Sequence, residues 1–226
     1  MKHVLDRPVW SALVTRHAPF AQGDNLAKRY PPSIVPFAAI ATDSAENLQA
    51  LDKLVPSHES VVMLQADAVV LPAGLASVST ATGVQMVAEE PLQNVSDGRV
   101  QRLTEDDAAE MLALASLTRP GPFTLKALSL GDFWGVKVEG RLVAMAGERM
   151  KQPGYIELSG VCSHPEFRGS GLGRLLSLFV ANQIIRRGEI PYLHAYATNV
   201  AAIRLYESIG FRLRRMMNVA VVQRTG

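Results

Sequence analysis

The residues of this 226-residue chain best suited to chemistry fall in one stretch, Arg168-Gly169-Ser170-Gly171-Leu172-Gly173-Arg174. Its three glycines, at alternate positions, leave the main chain bare. The apolar run Tyr155 to Cys162 before it reads as a strand, and the apolar periodic run Leu172 to Arg187 after it reads as a helix. Bare backbone amides at the positive end of a helix make an anion site, and phosphate is its usual guest. Arg168 and Arg174 flank the loop and add charge. The stretch predicts a phosphate-bearing ligand held mainly by main chain. A dinucleotide fold would need Gly-x-Gly-x-x-Gly and an acidic residue at the end of the next strand. Here the third glycine comes one position early and the next strand ends Ala197-Thr198-Asn199, which counts against a dinucleotide.

The rest of the chain must hold that loop in place. Thr104-Glu-Asp-Asp107 opens a helix with a variant of the capping box, running to about Leu117. Thr124 to Leu130 is a second expected helix. Phe133 to Val138 and Arg141 to Arg149 read as a hairpin turning on Glu139-Gly140, and Tyr155 to Cys162 follows across Pro153-Gly154. After the loop helix come a strand over Tyr192 to Ala197, a helix over Asn199 to Ile209 and a final strand over Met216 to Gln223. The order from Val84 onward is β, α, α, β, β, β, α, β, α, β. Turn-linked strands are antiparallel, whereas the two joined through the loop helix are parallel. An α/β (α+β) fold with a mixed, mostly antiparallel sheet and helices on both faces is predicted. The first 83 residues are more weakly patterned. They suggest a helix from Pro8 to Phe20, strands at Phe37 to Ala41, Val61 to Leu64 and Val69 to Leu71, and a helix over Ala45 to Leu54.

Composition bounds the function. The chain is 48% hydrophobic and 19% charged, ordinary for a globular protein, and its net charge of +2 does not suggest nucleic-acid binding. Residues 1–90 carry a net −3 and residues 91–226 a net +5, so the basic half holds the glycine loop. The single cysteine, Cys162, allows no internal disulfide and fits a reducing compartment. Without a long apolar run or a signal-peptide core, a soluble cytoplasmic protein with no membrane partner is expected. No His, Cys, Asp or Glu set has metal-ligand spacing, so no metal is expected.

Taken in order, Glu157-Leu-Ser-Gly-Val-Cys-Ser-His-Pro165, Glu166-Phe-Arg-Gly-Ser-Gly-Leu-Gly173 and Asn199-Val-Ala-Ala-Ile-Arg-Leu-Tyr-Glu-Ser-Ile-Gly-Phe211 resemble the GNAT acyltransferase superfamily, most strongly its glycine-N-acyltransferase-like branch. The family's Arg/Gln-x-x-Gly-x-Gly/Ala signature falls on Arg168 to Gly173. Its Asn, Tyr and Gly-Phe signature falls on Asn199, Tyr206, Gly210 and Phe211. The resemblance covers roughly residues 85 to 226. It implies a GNAT-like sheet whose central parallel strands splay apart around acetyl-coenzyme A as co-substrate. The amides of Arg168, Gly169, Ser170, Gly171, Leu172, Gly173 and Arg174 would then cradle the pyrophosphate. The main chain of Val161 and Ser163, with Cys162 between them, would pair with the pantetheine arm. Asn199 would hold the pantetheine region, and Tyr206 would meet the leaving thiolate with its phenolic proton. Glu157 would take the proton of the amine through water, and a strand amide near Val161 would meet the oxyanion.

Other residues compete for these roles. Glu148 on the preceding strand is a second possible base, and His194 lies on the strand lining the cleft. His164 reads as local turn chemistry and Cys162 as a small buried residue. The resulting expectation is an N-acetyltransferase that moves an acetyl group directly to a primary amine of a small molecule or amino acid, as monomer or homodimer. The alternative is an acyl-CoA sensor or inactive relative that kept the cradle. Residues 84–226 are expected to form the acyltransferase domain. Residues 1–83 are expected to form an α/β segment, a degenerate half of the same kind, covering the sheet edge and lining the acceptor pocket with Trp10, His17 or Tyr30.

Overall fold

The computed structural model describes residues 3–225, so Met1, Lys2 and Gly226, at the ends of the two expected segments, lie outside the described residues. Helix α1 spans Pro8–Leu13, with Pro8 in its first turn where a missing N–H costs nothing. It ends earlier than its apolar pattern suggests, and the run to Phe20 finishes in a 3-10 turn containing Pro19. Strands β1 (Gln22–Gly23), β2 (Ala27–Arg29) and β3 (Ala38–Ile40) make a small antiparallel sheet. Helix α2 (Ala45–Leu54) is capped by Ser44, whose side chain accepts from the Asn47 amide. There follow β4 (Val61–Gln65), β5 (Leu75–Val87), β6 (Val100–Leu103), α3 (Ala108–Thr118), β7 (Phe133–Val138), β8 (Arg141–Gln152) and β9 (Tyr155–Ser163). The chain continues through α4 (Leu172–Arg186), β10 (Ile190–Tyr196), α5 (Val200–Ser208) and β11 (Arg212–Arg224).

The main sheet has eight strands in the order β4-β11-β5-β10-β9-β8-β7-β6. Every pair is antiparallel except β9 with β10. The mixed sheet with one parallel pair is the predicted one. Its two faces are covered by different helices. On one, Leu176, Val180 and Ile184 of α4 pack with Ala144, Ala146 and Ile156. On the other, Met111 and Leu114 of α3 pack with Met145 and Phe133. Alternate residues of β8 therefore serve opposite layers, as the period of a strand requires.

Several elements differ from their sequence signals. Thr124 to Leu130 forms only a 3-10 turn at Ala127–Ser129, and the Thr124 hydroxyl donates to the Ile34 carbonyl at 2.8 Å. Val69 to Leu71 joins no strand, because Pro72 follows and cannot donate to a ladder. The largest difference is β5. It starts at Leu75 rather than Val84 and lies between β10 and β11 in the interior of the sheet. One continuous strand thus crosses the expected boundary between residues 83 and 84. Its first half, Ala-Ser-Val-Ser-Thr, is exposed on both faces and so carries no apolar signal.

Candidate active site

Strands β9 and β10 pair only at Ile190 with Tyr155, Pro191 with Ile156, and Tyr192 with Glu157. Beyond Glu157 both strands continue, to Ser163 and Tyr196, without a ladder between them. The parallel pair is therefore splayed toward its carboxyl ends, the end at which open α/β sheets bind ligands. A bulge on the other edge of β9 sharpens the opening. Met145 pairs with Cys162 and Gly147 with Ser159, so Gly160 and Val161 together face a single residue of β8. Gly160 has φ +64, and a Cβ there would stand 2.8 Å from the Phe133 ring.

The glycine loop stands at the end of this opening. Gly171 is the N-cap of α4 in the left-handed region, with φ 81, a conformation glycine takes at no steric cost. A Cβ at Gly169 or Gly171 would meet nothing within 4 Å, so the surface above the loop is open to a guest. The first amides of the helix have no partner within it, and no side chain caps them. Asn199 caps α5, its Oδ1 accepting from the Ala202 amide at 3.2 Å. Tyr206, on α5, is buried with its ring 6.1 Å from that of Phe211. Burial pushes its phenol up to about 12, with the Cys162 thiol on β9 adding to the shift. The Tyr206 hydroxyl makes no hydrogen bond among the described residues and stays protonated near neutral pH. Burial likewise pushes the Cys162 thiol up to about 11, which leaves it un-ionised and a poor nucleophile.

At the root of the splay lies a buried polar cluster. Glu157 is fully buried. Arg149 donates to it from Nε at 2.8 Å and from Nη2 at 2.7 Å, the Met150 amide at 3.2 Å, and His194 Nδ1 lies 2.7 Å away. Burial alone would push the Glu157 carboxyl up. The charge of Arg149, with hydrogen bonds from Arg149 and His194, outweighs it and brings the group down to about 2. A carboxylate has about four lone-pair sites, and all are taken. The other His194 nitrogen, Nε2, lies 2.9 Å from Gln85 Nε2. Gln85 also donates to the Leu5 carbonyl at 2.9 Å, and its Oε1 accepts from Arg214. Those two contacts fix the orientation of the Gln85 amide, so it is the donor to His194. The proton of the imidazole then sits on Nδ1, facing Glu157.

In front of this cluster opens a cavity of about 470 Å³. Phe37, Val62, Leu64, Val219 and Val221 give it apolar walls. Its polar side chains are Arg149, His194, Tyr196 and Arg119, the last in the loop after α3. The N-terminal segment does line the cavity, through Phe37, Val62 and Leu64. Trp10, His17 and Tyr30 do not, and His17 and Tyr30 are buried against each other with a 2.8 Å contact between Nδ1 and the phenol. Glu148 faces elsewhere, paired with Arg187 and with Lys151 at 3.0 Å. His164 accepts from the Glu166 amide at 3.3 Å, the turn role expected of it. Among the described residues no group of three His, Cys, Asp or Glu could hold a metal ion.

Residues 135–220 match the FR47-like protein family. A crystal structure from Novosphingobium aromaticivorans, described as a GNAT-family acetyltransferase, superposes with a TM-score of 0.92 at 39% identity over 100% of both chains. The chain belongs to the GNAT family. A GCN5-related N-acetyltransferase from Kribbella flavida shares the fold, with a TM-score of 0.66 at 16% identity over 96% of this chain and 95% of that one. Shorter stretches resemble curated enzymes. One is 47% identical over 51 residues to the mycothiol acetyltransferase of Nocardiopsis dassonvillei, covering 22% of this chain and 15% of that protein. Another is 40% identical over 55 residues to the ribosomal protein bS18-alanine N-acetyltransferase of Salmonella typhimurium, covering 24% and 37%. The matched stretches thus span well under two thirds of these curated relatives.

Within this GNAT fold the signature residues lie around one opening. The loop, the β9 bulge and Tyr206 surround the splay, while Glu157 sits below it among donors. Arg149, Gln85 and Arg119 carried no motif, and only the fold, through β8, β5 and the end of α3, brings them to the site. Gln85 lies on β5, upstream of the matched family region. No helix among the described residues is long and apolar enough to cross a membrane.

Proposed function

We propose that this GNAT protein moves an acetyl group from acetyl-coenzyme A directly to the primary amine of a small molecule held in the cavity beside His194. The carrying observation is the splay between β9 and β10, which has the open glycine cradle at its end and borders an apolar cavity through β10. The residues present fit the co-substrate: free amides at the start of α4, open space above Gly169 and Gly171, and an unladdered strand edge at Val161 to Ser163. Acetyl-coenzyme A supplies the activated acyl group. As the amine forms the new C–N bond, the C–S bond breaks, and Tyr206 gives its proton to the sulfur. Holding both partners across one gap supplies much of the acceleration.

Glu157 enters this scheme as a positioning residue. Its saturated carboxylate fixes Arg149 and His194 at the cavity wall, and the amine loses its proton to water through the open cavity. The narrower placement in a glycine-N-acyltransferase-like branch rests on the loop and Asn-Tyr-Gly-Phe signatures. A second reading, an acyl-CoA sensor, is favoured by the absence of a free base in the cavity among the described residues. Thiol release dependent on both acetyl-coenzyme A and an added amine separates the two. Tyr206→Phe should lower kcat about 100-fold with the KM for acetyl-coenzyme A kept. Tight acetyl-coenzyme A binding with no turnover against a broad amine panel would favour the sensor.

A further inference from the structure

We infer that the acceptor is an apolar amine carrying a carboxylate, an amino acid with an apolar side chain, and that Arg119 binds the carboxylate. The inference rests on the transferase reading and narrows its acceptor. Arg149 and Arg119 are the charged residues of the cavity wall, and Arg149 is neutralised by Glu157. Arg119 is exposed and has neither an ion pair nor a side-chain hydrogen bond among the described residues. The wall therefore carries one uncompensated positive charge and no acidic group, which repels a polyamine and attracts an anion. A guanidinium is the side chain best shaped to hold a carboxylate through two parallel bonds.

The rest of the wall sets the body of the ligand. Phe37, Val62, Leu64, Val219 and Val221 offer apolar surface on two strands and a loop, and the cavity of about 470 Å³ suits a small molecule. Arg119 is also held in an unusual way. It occupies the left-handed region with φ 52, at the C-cap of α3, where its amide bonds to the Ala115 carbonyl. Glycine is the usual residue there, and Pro120-Gly121-Pro122 follows. A side chain kept at a strained position against a cavity has a use that offsets the strain.

The test compares L-leucine and L-phenylalanine with the same skeletons lacking the carboxylate, isoamylamine and phenethylamine, and with spermidine. Thiol release from acetyl-coenzyme A is the readout. The expected result is a kcat/KM at least 10-fold higher for each amino acid than for its decarboxylated partner, and none for spermidine. In Arg119→Gly, whose backbone suits φ 52, that ratio should fall toward one through KM for the amino acid. Preference for isoamylamine or spermidine, or an unchanged ratio in Arg119→Gly, would overturn the inference and leave the transferase reading standing. So would a rise in the KM for acetyl-coenzyme A alone, which would place a coenzyme phosphate on Arg119. If no amine is acetylated, the transferase reading fails. Calorimetry of L-leucine with coenzyme A present then decides the pocket by itself: binding lost in Arg119→Gly sustains it, and no binding to the wild type ends it.

Discussion

Tyr206 and Glu157 are both buried, yet their surroundings drive them in opposite directions. The phenol, lifted to about 12 by burial, keeps its proton across the working range. Since it must be protonated to act and Glu157 is held ionised by its donors, kcat/KM should climb with pH as the amine itself deprotonates. No falling limb should appear up to pH 10, and a bell centred near neutrality would contradict it. For Glu157 the sign is that of a depressed acid. Its folded value of about 2 lies below the ordinary 4.5, so its stabilisation is complete above about pH 5 and is lost as pH falls toward 2. The span corresponds to about 3 kcal/mol. Glu157→Gln should remove most of that acid sensitivity and leave Arg149 unpaired, costing about 3–5 kcal/mol in urea unfolding at pH 7. Arg119→Gly should gain about 1 kcal/mol by relieving a left-handed non-glycine residue. Tyr206 and the loop were readable because their types and spacing are local. The saturation of Glu157 was not, since its partners come from β8 and β10 and only the fold unites them.

At the scale of elements, the site depends on two places where regular structure is interrupted. One is the bulge at Gly160, and the other is the left-handed cap at Gly171. Gly171→Ala would force a Cβ into φ 81 while meeting no neighbour. It should therefore cost about 1–2 kcal/mol of stability and raise the KM for acetyl-coenzyme A, with kcat less affected. An unchanged KM would show that the cap geometry is not used for binding. Elements with strong apolar periodicity, such as α4 and the β7–β8 hairpin, were legible within a few residues. The Thr124 to Leu130 turn was not, because one hydroxyl contact to Ile34 outweighed a weak helical propensity. The early half of β5 was invisible for a different reason. A strand exposed on both faces has no alternation to display.

The molecule as a whole is tied together by that same strand. β5 pairs with β11 from Arg212 with Val87 to Arg224 with Leu75, and with β10 from Tyr192 with Val87 to Tyr196 with Gly83. It also supplies Gln85 to the cluster behind the cavity. A fragment beginning at Val84 would lack β4 and most of β5, exposing the edges of β10 and β11. It should give no cooperative thermal transition by circular dichroism, whereas residues 3–225 should melt as one unit. A sharp transition in the fragment would show that the sheet closes without β5.

The position of β5 also sets an order of events during synthesis. It leaves the ribosome long before Ile190 opens β10 or Arg212 opens β11, so its backbone donors and acceptors must wait for strands not yet made. Only when β11 has emerged can β5 be clasped from both sides and β10 be held in place. A growing chain therefore carries its glycine loop for many residues without a gap to serve. The opening between β9 and β10 is therefore completed late, once β5 has been joined by both of its neighbours.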